Sequence, residues 1–237
     1  MKIFVKFLCM VLAVSLITFS PNFAGAGEVT GTVKFEGAVP KFREIKMDAD
    51  PICLSKHGSK VFPDTLVLGE GNTMKNVFVY VKDGIFDNKF TPPAEPVVIS
   101  QTGCMYEPHI IGLMVGQPLK ILNPDGTLHN VHALSKVNPE FNLAMPKFRR
   151  EATQVFGKPE FMFPLKCDVH PWMSAWISVM DNPFFAITGI NGEFRISNLP
   201  KGNFHIVAWH EKLGTLSEDI VITGGNEEKI NFVFSKP

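Results

Sequence analysis

The sequence predicts an all-β protein of sandwich type. Short runs that alternate apolar with polar residues, or are apolar throughout, recur along the chain, while no stretch shows sustained helical periodicity with caps. Val29, Gly31, Val33 and Phe35 alternate with Thr30, Thr32 and Lys34, as in a half-buried strand. Val77-Phe78-Val79-Tyr80-Val81 is continuously apolar and suits a strand covered on both faces. Further strands are expected at residues 119–122, 174–180, 204–209, 219–223 and 229–234.

The amino terminus reads as an export signal. Lys2 and Lys6 precede an apolar stretch over residues 7–19, and Ala24-Gly25-Ala26 supplies a cleavage site after Ala26. The stretch is short for a membrane span, and Cys9 lies inside it instead of at its end, which argues against a lipid attachment site. A periplasmic or secreted location follows, with no membrane span once residues 1–26 are removed. The full chain has 23 basic and 23 acidic residues, so losing two lysines leaves a formal charge of −2. That balance gives no electrostatic reason to expect nucleic acid or an anionic membrane as partner.

The chemistry is concentrated in Cys167-Asp168-Val169-His170-Pro171-Trp172-Met173, which follows Leu128-His129-Asn130-Val131-His132 by about forty residues. A thiolate and two imidazoles with a nearby thioether form the ligand set of a trigonal His₂Cys blue-copper site with a long axial Met. Zinc would call for a closed tetrahedral set, and no second Cys-x-x-Cys or His-x-x-x-His partner is present. The plainer alternative makes Cys167 and Met173 core residues and His170 a turn cap. Along a strand, positions i and i+3 face opposite sides, so only one of His129 and His132 can reach a shared metal. His109 reads as a strand-edge residue, and His57, His205 and His210 lack a partner at metal-binding spacing.

Residues 104–180 resemble a cupredoxin of the amicyanin and plastocyanin type. The short Cys-x-x-His-Pro-aromatic-Met loop matches with Trp172 as the aromatic, and the resemblance extends upstream through Tyr106-Glu107-Pro108, Val115-Gly116-Gln117-Pro118-Leu119 and His129-Asn130-Val131-His132. Leu128 stands where the family usually has Pro, and Leu165-Lys166 replace an aromatic and a His. The resemblance implies a Greek-key sandwich holding one type 1 copper ion on His129, Cys167, His170 and Met173. It selects His129 over His132. With Cys167 engaged, Cys53 and Cys104 form a natural disulfide pair in an oxidising compartment; closing a loop of about fifty residues could stabilise by about 4 kcal/mol in the chain-entropy description.

The tail carries a second resemblance. Asn191-Gly192-Glu193-Phe194, followed by Leu199-Pro200-Lys201-Gly202-Asn203-Phe204, is similar to the carboxypeptidase regulatory-like, transthyretin-like sandwich, an Ig-like architecture. That family opens with Val-x-Gly-x-Val, which here is Val29-Thr30-Gly31-Thr32-Val33, far upstream. Insertion reconciles the two: residues 27–97 and 183–237 build one small sandwich, and the copper domain, 98–182, sits between them. Two unrelated halves, or one enlarged cupredoxin, are the alternatives.

The expected function is transfer of single electrons between redox partner proteins. Lys147, Arg149 and Arg150, beside Met145, Phe148 and Phe156, read either as a docking surface for an acidic partner or as ordinary solvated surface. A copper-carrying or cell-surface binding module is the alternative. An enzyme is not expected, because the His-x-His motifs of multicopper oxidases, a catalytic triad and a carboxylate pair are all missing.

Overall fold

A computed structural model describes residues 26–85 and 89–236. The export signal expected over residues 1–26 therefore lies, apart from Ala26, outside the described residues. Among those described, no helix is long and apolar enough to cross a membrane. The described residues are nearly all strand and loop, with α-helix among them confined to one short turn, Pro51–Ser55.

One core lies between two sheets. The first runs, in spatial order, Phe141–Met145, His129–Ala133, Glu160–Lys166, Ser174–Met180 and Ile110–Met114. The second runs Glu151–Val155, Pro118–Leu122, Val97–Thr102 and Met105–Glu107. Alternation decides what enters the core: along Pro118–Leu122 only Leu119 and Ile121 are buried. They meet Ile99, Val131, Leu165, Ile177 and Val179 there. Each such side chain removed from water contributes about 1.5–3 kcal/mol.

The second core joins the two ends of the described chain. Gly27–Glu36 pairs antiparallel with Glu193–Leu199 and parallel with both Glu227–Lys229 and Phe232–Ser235. The facing sheet runs Phe185–Ile187, Phe78–Asp83, Gly202–His210 and Gly214–Ile222. Val29, Val33, Phe35, Val79, Phe204, Ile206 and Phe234 fill the space between. Not all of residues 27–97 lies in this half. Ile45, Met47, Cys53 and Val61 pack in the first core, where Cys53 is bonded to Cys104.

Aromatic rings join the halves. Phe78 and Phe185 from the second meet Ile110 and Met180 from the first, with Trp176 and Trp209 packed alongside. His109 Nε2 and Trp176 Nε1 both bond the Glu211 carboxylate, at 2.5 and 3.2 Å. His109, expected at a strand edge, is thus buried within this junction. Gly112 permits the close approach, because a Cβ there would stand 2.6 Å from the Phe185 ring and 2.7 Å from the Phe78 ring. Gly112→Ala is accordingly expected to destabilise by about 1–3 kcal/mol through overpacking. Urea unfolding measures it, and a change below about 0.5 kcal/mol, the range of an ordinary surface substitution, would show that the halves do not meet firmly.

Candidate metal centre

The strand His129–Ala133 supplies one imidazole. His129, Val131 and Ala133 point inward, whereas His132 points out, 2.8 Å from Glu140 and 3.3 Å from Asp168. The alternation that separates the two histidines in the sequence therefore separates them in space. The loop after Glu160–Lys166 brings the remaining groups. It closes on itself through Met173 N to His170 O at 2.9 Å and Cys167 N to Met173 O at 3.4 Å. Asn130 ties this loop to the histidine strand, its Oδ1 accepting from the backbone N–H of Asp168 at 2.7 Å. Beneath it the buried Tyr106 hydroxyl donates to Asn130 O at 2.5 Å.

His129, Cys167 and His170 come together, with one ligand atom from each lying within 4.8 Å of the others. The two Nδ1 atoms are 2.9 Å apart, and Cys167 Sγ is 3.8 Å from His170 Nδ1. Nitrogens bound to one metal at about 2.0 Å stand about 3.3–3.5 Å apart at tetrahedral to trigonal angles, so the two rings are within about half an ångström of the spacing that a shared ion requires. All three residues are out of water, at 0, 3 and 2% exposure, and Met173 is fully buried in the same core. The donor set combines a soft thiolate with imidazoles, the chemistry that copper takes.

The electrostatics favour the ligating form of the thiol. Burial pushes the Cys167 thiol up, but contact with His129 and the backbone N–H groups of Asn130, His170 and Val169 outweighs it, and the thiol sits below the ordinary cysteine range. Burial works against a charged His129; Asp125 and Cys167 overcome it and raise that histidine. Asp125 is itself held at about 2, because bonds from His129, Cys104 N and Gly103 N outweigh its desolvation.

Two residues that sequence reasoning did not single out complete the surroundings. Asp125 Oδ2 lies 3.1 Å from His129 Nε2, and Asp50 Oδ2 lies 3.0 Å from His170 Nε2. Asp50 also caps the Pro51–Ser55 helix, accepting from Ile52 N and Cys53 N. Cys53, disulfide-bonded to Cys104 across 51 residues, places Sγ 3.4 Å from His170 Nε2. Trp172 donates from Nε1 to Cys104 O at 3.0 Å, and its ring centre is 5.1 Å from that of His170. The basic residues Lys147, Arg149 and Arg150 are exposed, with Phe148 between them 83% exposed.

No family profile matches the chain, and no curated protein sequence does. Among solved structures it is similar to a copper-containing nitrite reductase from Thermus scotoductus SA-01, at 20% identity and a TM-score of 0.31, over 40% of this chain and 24% of that one. It is similar to a Cu(I) amicyanin variant at 20% identity and a TM-score of 0.32, over 43% of this chain and 98% of that one. A purple cupredoxin from Nitrosopumilus maritimus is matched at 21% identity and a TM-score of 0.30, over 35% of this chain and 99% of that one. The chain thus spans about a quarter of the nitrite reductase and nearly all of the two smaller proteins. At these TM-scores the likeness carries no weight for the chemistry, which rests on the ligand geometry.

His132→Ala is expected to leave metal uptake unchanged and to lower stability by no more than about 1 kcal/mol, the worth of an exposed ion pair. His129→Ala should weaken uptake sharply. Copper titration of both variants compares them directly, and the opposite ranking would mean that the ligand register of this strand is reversed.

Proposed function

We propose that this chain is an exported type 1 copper protein that carries single electrons between redox partner proteins, with one copper on His129, Cys167 and His170 and Met173 as a weak fourth ligand. The observation that supports it most is the convergence of two imidazole Nδ1 atoms and a thiolate-favouring cysteine in a buried space. Copper bound there would supply a one-electron couple. The protein's part is to hold the donors still: Asn130 pins the loop, Met173 closes it, and packing within the core denies the side chains other rotamers. A site so constrained changes little between oxidation states. Delivery of copper to another protein would need an incoming ligand to reach the ion, and the burial of all three donors opposes that.

The domain division belongs to the same proposal. Residues 98–182 form the copper domain, inserted into a host sandwich built from 27–97 and 183–237, with residues 45–61 reaching out of the host to cover the copper core. The pairing of Gly27–Glu36 with Glu193–Leu199 and Phe232–Ser235 supports it. Cleavage after Ala26, and with it a periplasmic or secreted location, rests on the sequence pattern alone.

Graded substitutions test the centre. Cys167→Ser should abolish intense visible absorption in the copper-loaded protein, since a hydroxyl cannot replace the soft thiolate. His170→Ala should open the centre and weaken copper binding, whereas Met173→Leu should keep the colour and move the reduction potential. A wild-type protein that binds copper without a thiolate-dependent visible band would defeat the type 1 reading.

A further inference from the structure

Both imidazoles at the centre are held from behind by a carboxylate, and the two carboxylates come from unrelated places. Asp125 lies in the turn before the His129 strand. Its Oδ1 accepts from Gly103 N at 2.9 Å and faces Lys56 Nζ at 3.4 Å, while Oδ2 accepts from Cys104 N at 2.6 Å and meets His129 Nε2 at 3.1 Å. Asp50 lies 120 residues before His170. Its Oδ1 caps the short helix at 2.8 Å from Ile52 N, and Oδ2 is left for His170 Nε2 at 3.0 Å, with Thr127 Oγ1 3.4 Å away. An ionised carboxylate only accepts hydrogen bonds, so each Nε2 must carry the proton. In the neutral, ligating form of each ring the lone pair is then on Nδ1, and the two Nδ1 atoms face one another at 2.9 Å.

We propose that Asp50 and Asp125 are positioning residues of the metal centre: they fix both imidazoles in the Nε2–H tautomer and set two negative charges behind the ligands, which favours the oxidised, more highly charged metal. The proposal rests on the copper reading above and adds to it a prediction about potential. Partners of this kind orient a ligating ring and raise its basicity. In a buried site their charges act at much greater strength than in water. Asp50 belongs to the 45–61 segment, which the Cys53–Cys104 bond ties to the copper core, so the centre is completed by chain from outside residues 98–182.

Asparagine is the informative replacement at position 50. Its amide oxygen can still cap the helix, but the amide nitrogen then faces His170 Nε2 as a second donor and drives that ring toward the other tautomer. Copper-loaded Asp50→Asn should keep its thiolate band, bind Cu(II) about 10–100-fold more weakly, and show an upward shift of the midpoint potential. Asp125→Asn should shift it in the same direction, and the double variant further than either. Nitrogen-15 NMR of the metal-free wild type at alkaline pH, which distinguishes the two tautomers from the doubly protonated ring, should show His129 and His170 as Nε2–H tautomers, and Asp50→Asn should lose that state at His170. An unchanged potential in folded Asp50→Asn, or Nδ1–H tautomers in the wild type, overturns the proposal. The second result needs no variant to fold. Absence of copper uptake by the wild type would instead remove the reading on which the proposal rests, and the tautomers would still decide whether the carboxylates orient the rings.

Discussion

Three polar side chains, His129, Cys167 and His170, stand in a space from which water is excluded, and much of the molecule around them answers that one constraint. A buried polar group without partners costs on the order of 1–3 kcal/mol, and two rings and a thiol multiply the demand. The reply comes in layers. Backbone N–H groups from the 167–170 loop meet the sulfur, Asn130 holds that loop against the histidine strand, and carboxylates meet the outer nitrogens of both rings. Asp125, nearly buried itself, is satisfied in turn by Gly103, Cys104 and Lys56. Among the described residues the network reaches water at Lys56, at the edge of Asp50 and, through Asn130, at Asn142 and Asp168.

The two cores depend on each other unequally. The Gly27–Glu36 strand is neighbour to strands from the far end of the chain, so the second core forms only after the intervening residues have been passed over, at the entropic expense of a long closed loop. The first core draws its strands from one continuous stretch of chain, residues 97–180, yet it also takes Ile45, Met47, Cys53 and Val61 from upstream. Glu211 adds a polar tie at the junction: burial would raise its pKa, but the contact with His109 outweighs this and keeps the carboxyl below the ordinary glutamate range.

Much of this was legible in the sequence because it is written at short range. Alternation in Val29 to Phe35 announced a strand, and Cys167 with His170 in one loop announced a cluster of soft donors. The spacing of His129 and His132 announced that they face apart, as they do. What stayed hidden was long-range. Asp50 caps the short helix that begins at Pro51, but nothing local says that its second oxygen meets a ring 120 residues away. Asp125 sits in Asn123-Pro124-Asp125-Gly126, where a turn explains it fully. Its place four residues before His129 was the one available hint. His109 failed for the same reason: its partner, Glu211, lies 102 residues downstream and across the junction between the cores.

The parallel pairing of Gly27–Glu36 with Phe232–Ser235 has a mechanical consequence. Val33 through Glu36 lie beside Phe232 through Ser235 in register, with both strands running the same way. A pull that drew Gly27 and Ser235 apart would load these backbone bonds side by side, in shear, instead of opening them one at a time. The force would pass along the outer sandwich, from one strand to its neighbour, and the sheets around His129 and Cys167 would lie off its path.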